Sequence, residues 1–381
     1  MLTPAQNPLG AARTISIGDS SIFLFVVLVG LHNPKRQRGI PKVSAVVEGL
    51  AHASGYDWSF WADTPNHFIM RETAKVTNGE AAFFLEELRR WQPFGGKPAK
   101  NELSAAEDYC RSWARKQYEN FTVVSWLLPR RVRQDFYNIY AYCRWSDNLA
   151  DEVEDHVESL QLLDEWQAEL MKCWEGKPRH PILIALKSTV EEYDFEPKLF
   201  LDLLSAFRQD REVNRYNNAT ELGDYCRRSA NPVGRILLQL ADCHEPEALA
   251  RSDDVCTGLQ LANFCQDMSR DAAIGRIYAS SDLWVQHEVT EQMILDRQPT
   301  SQLQSMLKDW VAETREYFVR GRELIGMTPS WLSTDVKLFI GGGESILSAI
   351  EKQAFDVWTQ RPIVSKTQKA WLLVRSLLLR R

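Results

Sequence analysis

The sequence predicts an all-α protein, one large helical domain around a central cavity. Three observations predict it. From about residue 104 to 360 apolar residues recur at helical spacing, and strand-like alternation is nearly absent. The breaks between helical stretches carry turn residues: Gly176-Lys177-Pro178, Asn217-Asn218 and Glu245-Pro246. Two acid pairs of equal spacing, Asp147-x-x-x-Asp151 and Asp267-x-x-x-Asp271, each continue a mostly apolar run. Acids that extend an apolar stripe point toward a cavity more often than toward open water.

Taken in order, residues 1–103 read as a poorly structured N-terminal extension. They carry scattered Gly, Pro and Asn, no sustained helical period, and a linker at Gly95-Gly96-Lys97-Pro98-Ala99-Lys100. The alternative is that translation begins downstream, with Met70 as one candidate start. The apolar run Ile22–Leu31 falls short of the roughly 18 residues of a membrane span. It has few basic residues before it, and Pro34-Lys35-Arg36-Gln37-Arg38 follows where a signal peptide would place a cleavage site.

The catalytic domain is expected over 104–362. Ser104 with Glu107 is a capping-box signature for its first helix. Pro129 suits the first turn of the helix that carries the first acid pair. Helices are then expected over 159–175, 197–216, 220–243, 247–273 and 301–325. Residues 363–381 form a basic amphipathic tail. Lys366–Arg381 holds five basic residues, no acids, and Trp371 among leucines. It suits either an anionic membrane surface or a last helix on the core.

Of the 381 residues, 44% are hydrophobic and 25% charged, with a net charge of −6. That is ordinary globular composition without a basic footprint for nucleic acid. Seven scattered cysteines without a C-x-x-C read as buried thiols of a reducing cytoplasm. Thirteen tryptophans suit a broad apolar cavity.

Residues four apart on a helix share a face. Two carboxylates so placed repel each other unless a cation lies between them. A lone pair reads more readily as a solvated acidic face, since acids are mostly exposed. Two facing pairs suit Mg²⁺, which takes hard oxygen ligands and is shared between carboxylates and substrate phosphates. Asp147, Asp151, Asp267 and Asp271 are therefore the candidate metal ligands. Gln260 and Asn263 precede Asp267 by seven and four residues on the same face. Their amides can bind a diphosphate or a metal-bound water, or else join neighbouring helices.

Around these motifs the chain resembles the squalene/phytoene synthase family of the class I isoprenoid synthase (terpenoid synthase) fold, over roughly 109–360. The resemblance rests on Leu127-Leu128-Pro129, Tyr140-Ala141-Tyr142-Cys143-Arg144, Asp147-Asn148-Leu149-Ala150-Asp151-Glu152, Tyr225-Cys226, Gln260 through Asp267, and Gly275-Arg276-Ile277-Tyr278. Tyr118-Glu119-Asn120-Phe121, Arg208-Gln209-Asp210 with Arg215-Tyr216, and the run Tyr225–Arg235 resemble the hydroxysqualene synthase branch.

That branch implies conversion of presqualene diphosphate and water to hydroxysqualene, on a bacterial route to squalene and hopanoids. The resemblance gives Arg144 a role in binding the substrate diphosphate; the alternative is an ion pair to Asp147 or Asp151. Tyr140 and Tyr225 are candidate catalytic residues, because aromatic faces stabilise a carbocation. Phe136, Tyr137 and Trp145 read as core.

Three departures from the two-substrate pattern stand out. They are Gln117 with Tyr118-Glu119-Asn120 in place of His and serines, Gln266 in place of Arg, and Gly341-Gly342-Gly343 where a tyrosine is usual. They argue for one pre-joined C30 diphosphate, with Mg²⁺ and without NADPH, since no glycine-rich dinucleotide loop follows a strand. The alternative within the family is head-to-head condensation of two farnesyl or geranylgeranyl diphosphates. From another class, the chain reads as a non-catalytic helical partner of a prenyl synthase, which four retained acids argue against. The expected partners are the isoprenoid diphosphate, neighbouring pathway enzymes and a membrane surface, with no nucleic acid. The expected location is the cytoplasm, extending to the inner face of the membrane.

Overall fold

The computed structural model describes residues 73–91, 102–117 and 128–365, with 367, 368, 371, 372 and 376 beyond them. Met70, the run Ile22–Leu31, the linker Gly95–Lys100, Tyr118–Leu127 and most of Lys366–Arg381 lie outside the described residues.

Every regular element among the described residues is helical. In chain order they are α1 Thr73–Trp91, α2 Glu102–Gln117, α3 Arg133–Asp151, α4 His156–Glu175, α5 Pro181–Glu192, α6 Pro197–Glu212, α7 Ala219–Ser229 and α8 Asn231–Leu240. There follow α9 Pro246–Ala273, α10 Ser281–Gln286, α11 Glu291–Leu295, α12 Ser301–Gly321, α13 Leu324–Met327 and α14 Ser330–Lys352. Proline opens α5, α6, α8 and α9 at their first turns, where its missing N–H costs nothing. Gly176 ends α4 at φ 79°, as a left-handed cap.

Several boundaries differ from expectation. Helix α2 starts at Glu102, so Ser104 stands inside it, exposed, and does not cap it. A single-turn 3₁₀ segment, Arg130–Val132, separates Pro129 from α3. The helix expected over 220–243 breaks at Ala230, because Pro232 cannot continue α7 and instead opens α8. The one expected over 197–216 ends at Glu212, and that over 301–325 stops at Gly321.

Helices α3 and α9 are the central pair. Buried side chains surround α3 on nearly every face from Asp135 to Ala150, and α9 from Val255 to Met268. Helix α3 rests on α2, α4, α5 and α6; helix α9 rests on α8, α12 and α14. Behind α3 lies an aromatic stack. The Trp145 ring stands 5.1 Å from Trp113, 5.9 Å from Trp166 and 4.6 Å from His180. Burial holds His180 well below its ordinary pKa, so it is neutral, and its Nδ1 accepts the Ile182 N–H at 3.3 Å to cap α5.

Helix α1 lies in the stretch expected to be poorly structured, and from residue 82 on its side chains pack on this stack. Phe84 is fully buried, with its ring 5.3 Å from Trp145, and Leu88 is buried beside it. Glu87 accepts hydrogen bonds from the Tyr109 hydroxyl at 2.7 Å and the Trp91 indole at 3.2 Å. The apolar residues Phe84, Leu88 and Trp91 fall at i, i+4 and i+7, a stripe too short to stand out among the loop-like residues around it. As expected, Phe136, Tyr137 and Trp145 are core. All seven cysteines are free, and six are buried.

Candidate active site

Each aspartate pair sits at the C-terminal end of its central helix: α3 ends at Asp151, and α9 ends two residues after Asp271. The helix dipole is negative there, so four carboxylates stand where their charge is least welcome. Asp147 and Asp267 are buried. Asp151 and Asp271 keep some contact with solvent at the helix ends. Even so, burial and then the like charge of Asp147 or Asp267 hold each of them well above the usual carboxylate range. This arrangement calls for cations.

Four arginines stand near these carboxylates, the loosest being the mostly exposed Arg270 at 3.7 Å from Asp267. Arg144 Nη1 donates to Asp147 Oδ2 at 2.9 Å from one turn earlier on α3. Its pairing with Asp147 is thus present, in a largely buried setting. Arg361 reaches in from the segment after α14, and its Nε and Nη2 donate to the two oxygens of Asp267 at 2.5 and 2.8 Å. Arg276 lowers the pKa of both Asp151 and Asp271, so its guanidinium faces the two pairs at once. Gly275 at φ 80° turns the chain after α9, a conformation glycine adopts without strain, and Arg276 Nη2 then donates to the Asp210 carbonyl at 2.7 Å.

Asp210 joins the first pair from α6, since its charge raises the pKa of Asp151. Its carboxylate accepts the Tyr225 hydroxyl at 2.8 and 3.0 Å. Tyr225 is fully buried in an aromatic wall: Tyr216 at 5.7 Å, Tyr278 at 5.9 Å and Phe264 at 6.2 Å between centroids. Tyr278 stacks on Phe264 at 3.8 Å. Tyr140 is buried on α3, two turns before Asp147 and on the same face. Gln260 and Asn263 are buried on the Asp267 face of α9. The Asn263 Oδ1 atom has no hydrogen-bond partner among the described residues.

The donor set fits Mg²⁺ in one specific sense. Among the described residues no three His, Cys, Asp or Glu side chains converge on one point, so no complete protein cage exists. The oxygens come as two pairs, with the orphaned Asn263 Oδ1 beside the second. Mg²⁺ binds in that way, through one or two carboxylates, several waters and substrate phosphates.

Arg361, Asp210 and the dual placement of Arg276 were not identified from the sequence. The signal for Arg276 is its place in the motif Gly275-Arg276-Ile277-Tyr278 directly after the second pair. Asp210 lay in Arg208-Gln209-Asp210. Arg361 carried no sequence signal, since its partner is 94 residues away. Of the departures, Gly343 is filled from outside its own helix: a side chain there would run into the Phe318 ring, whereas Gly342 faces open space.

The squalene/phytoene synthase family model matches residues 114–368. A phytoene synthase from Arthrospira platensis is 27% identical over 289 residues, which cover 71% of this chain and 92% of that protein. A phytoene synthase from Rhodobacter capsulatus is 28% identical over 275 residues, covering 71% and 80%. The crystal structure of squalene synthase HpnC from Alicyclobacillus acidocaldarius superposes with a TM-score of 0.65 at 36% identity, covering 68% of this chain and 97% of that one. A dehydrosqualene synthase shares the fold, with a TM-score of 0.62 at 24% identity. With both aspartate pairs inside the matched span and the helical architecture shared, the chain is an enzyme of the squalene/phytoene synthase family.

Proposed function

We propose that the enzyme converts presqualene diphosphate and water to hydroxysqualene and diphosphate, with Mg²⁺ and without NADPH. The observation that carries this reading is the charge at the second pair. Residue 266 is a buried, neutral glutamine, and Asp267 is matched by one bidentate arginine from elsewhere in the chain. Arg144, Arg276, Arg361 and the more exposed Arg270 are the arginines beside the four aspartates, with no further cation at 266 for a second diphosphate. The 36% identity to a protein named squalene synthase supports a C30 product.

Asp147, Asp151, Asp267 and Asp271 would hold Mg²⁺, with Asn263 Oδ1 as a further oxygen. Bound there, Mg²⁺ supplies Lewis-acid stabilisation of charge on the departing diphosphate. Arg144 and Arg276 bring fixed positive charge to the same place, where it costs no reorganisation during reaction. Gln260 orients the diphosphate through its amide. The carbon–oxygen bond breaks and its electron pair leaves with the diphosphate. The cyclopropylcarbinyl cation rearranges, water adds through oxygen, and one proton is released. Tyr140 and Tyr225 present aromatic faces to the cation, and the Asp210 hydrogen bonds fix the Tyr225 ring.

A second reading, head-to-head condensation of two prenyl diphosphates, is favoured by the names of the curated relatives, which are phytoene synthases at 26–28% identity. One experiment separates the two. The protein is incubated with Mg²⁺ and, separately, presqualene, farnesyl or geranylgeranyl diphosphate, in water enriched in ¹⁸O. Hydroxysqualene carrying ¹⁸O from presqualene diphosphate alone supports the first reading. Efficient use of farnesyl or geranylgeranyl diphosphate by the purified protein establishes the second.

We also propose that residues 363–381 meet an anionic membrane surface, a reading supported by the exposed Trp371 in a run with five basic residues and no acids from 366 on. No helix among the described residues is long and apolar enough to cross a membrane.

A further inference from the structure

We propose that Gln266 is a positioning residue: it brackets Arg361 so that this arginine sits on Asp267 as a built-in cation, which an incoming metal ion must displace. The inference rests on the reading of Asp267 as a metal ligand.

Asp267 is 8% exposed at the negative end of α9. A carboxylate buried in that place without a partner would be costly. Arg361 engages both of its oxygens with a two-pronged fork, at 2.5 and 2.8 Å. Arg270, three residues on, is a looser second cation at 3.7 Å and is mostly exposed.

Gln266 holds the arm that delivers Arg361, and it uses both ends of its amide. Its Oε1 accepts from Arg361 Nη2 at 3.1 Å, and its Nε2 donates to the Pro362 carbonyl at 2.7 Å. Two successive residues of the arm are thereby fixed by one buried side chain. Glutamine suits the task because it carries an acceptor for the guanidinium and adds no charge of its own. An arginine at 266 would have no acceptor to offer and would repel Arg361.

A metal ion and the fork compete for the same oxygens. The guanidinium takes one lone-pair site on each Asp267 oxygen and opposes a dication by like charge, so a metal ion that uses the same sites has to displace it. Residues 361–365 have no regular secondary structure, so the arm can yield without unwinding a helix. Metal entry at the second pair is thus coupled to release of the arm.

The test uses the full chain without substrate and Mn²⁺ as the probe, with free and bound Mn²⁺ distinguished by electron paramagnetic resonance. Arg361→Gln is expected to bind Mn²⁺ roughly tenfold more tightly than wild type, the scale of one charge-assisted hydrogen-bonded pair. Gln266→Met, which keeps the size and removes both hydrogen bonds, is expected to bind about threefold more tightly, since it loosens the fork without removing it. Hydrogen exchange at residues 357–365 should quicken when Mn²⁺ is added to wild type, and should already be quick in Gln266→Met without metal. A purely structural glutamine would not change metal affinity. Equal Mn²⁺ affinity in the three folded proteins overturns the proposal. Should Gln266→Met fail to fold, Gln266→Glu takes its place: it keeps the acceptor for Arg361, loses the donor to Pro362 and adds a charge that tightens the fork, so it is expected to weaken Mn²⁺ binding, and unchanged affinity overturns the proposal. A wild-type protein that binds no Mn²⁺ overturns this inference together with the metal-ligand reading, whatever products the turnover assay gives.

Discussion

Asp147 is neutralised from within its own helix by Arg144, three residues earlier, whereas Asp267 is neutralised by Arg361, 94 residues later in the chain. The helices behind the two pairs differ in the same sense. Helix α3 sets its own Trp145 against large rings from its neighbours, Trp113, Trp166 and Phe84, the last supplied by α1. Helix α9 is backed by close helix approaches: a Cβ at Gly258 would stand 3.1 Å from Phe318, and one at Gly321 would stand 2.6 Å from Val255. Two pairs of identical spacing are therefore held by different means. The first arginine is carried by the helix that bears its aspartate, while the second arrives on a segment outside any helix.

The largest expected effect treats the pairs as equals. Asp147→Asn and Asp267→Asn should each lower kcat by about 10³-fold or more, because each loses charge that stabilises the leaving diphosphate. Hydrogen exchange should then separate them, with residues 357–365 loosened only by Asp267→Asn. Near-normal turnover of either variant at saturating Mg²⁺ would falsify its assignment.

Next come the backings. Phe84→Ala should cost about 3–5 kcal/mol, the usual range for a fully buried aromatic, as measured by denaturant unfolding. We propose that the domain includes α1, so a chain beginning at residue 102 should show a similar loss. A truncated chain as stable as the full one would return the boundary to about residue 103.

The third prediction concerns α14, which packs on α9. Asp335 is buried there, and burial alone raises its carboxyl to about 7. The folded state then holds its proton more tightly than the unfolded chain does. Its contribution is fully present below about pH 4 and is lost as pH rises through 7. Asp335→Asn should remove this dependence and stabilise the protein at pH 8 by on the order of 2 kcal/mol, with little gain at pH 5. Thermal melts at the two pH values check the sign; an equal change at both would show that ionisation is not the cause.

The smallest effect distinguishes neighbouring glycines. Gly343→Ala should cost about 1–3 kcal/mol, because its methyl meets the Phe318 ring. Gly342→Ala meets nothing and should stabilise α14 by roughly 0.5–1 kcal/mol. Adding Phe318→Leu should relieve Gly343→Ala and leave Gly342→Ala unchanged, a double-mutant cycle that locates the strain.

Patterns confined to one helix were legible from residues alone. The all-helical class, the two acid pairs, and Gln260 and Asn263 on the Asp267 face all follow from a 3.6-residue period, which any reader of the chain can apply. Local chemistry also marked most breaks, although the capping-box reading placed the start of α2 three residues late and the 220–243 reading ran through the Ala230 break. Helix α1 was illegible, because its short stripe becomes stable only against Trp113 and Trp145, and such packing overrides weak local preference.

The sequence by itself determined which residues can be acids on one helix face, since that needs only covalent order and helix geometry. Tertiary structure alone decided that the first aspartate of each pair is buried, that Arg276 faces both pairs, that Asp210 holds Tyr225, and that Arg361 lies across Asp267. Those placements depend on how separate helices and one arm come to rest against each other. No period within a single helix encodes the distance between two of them.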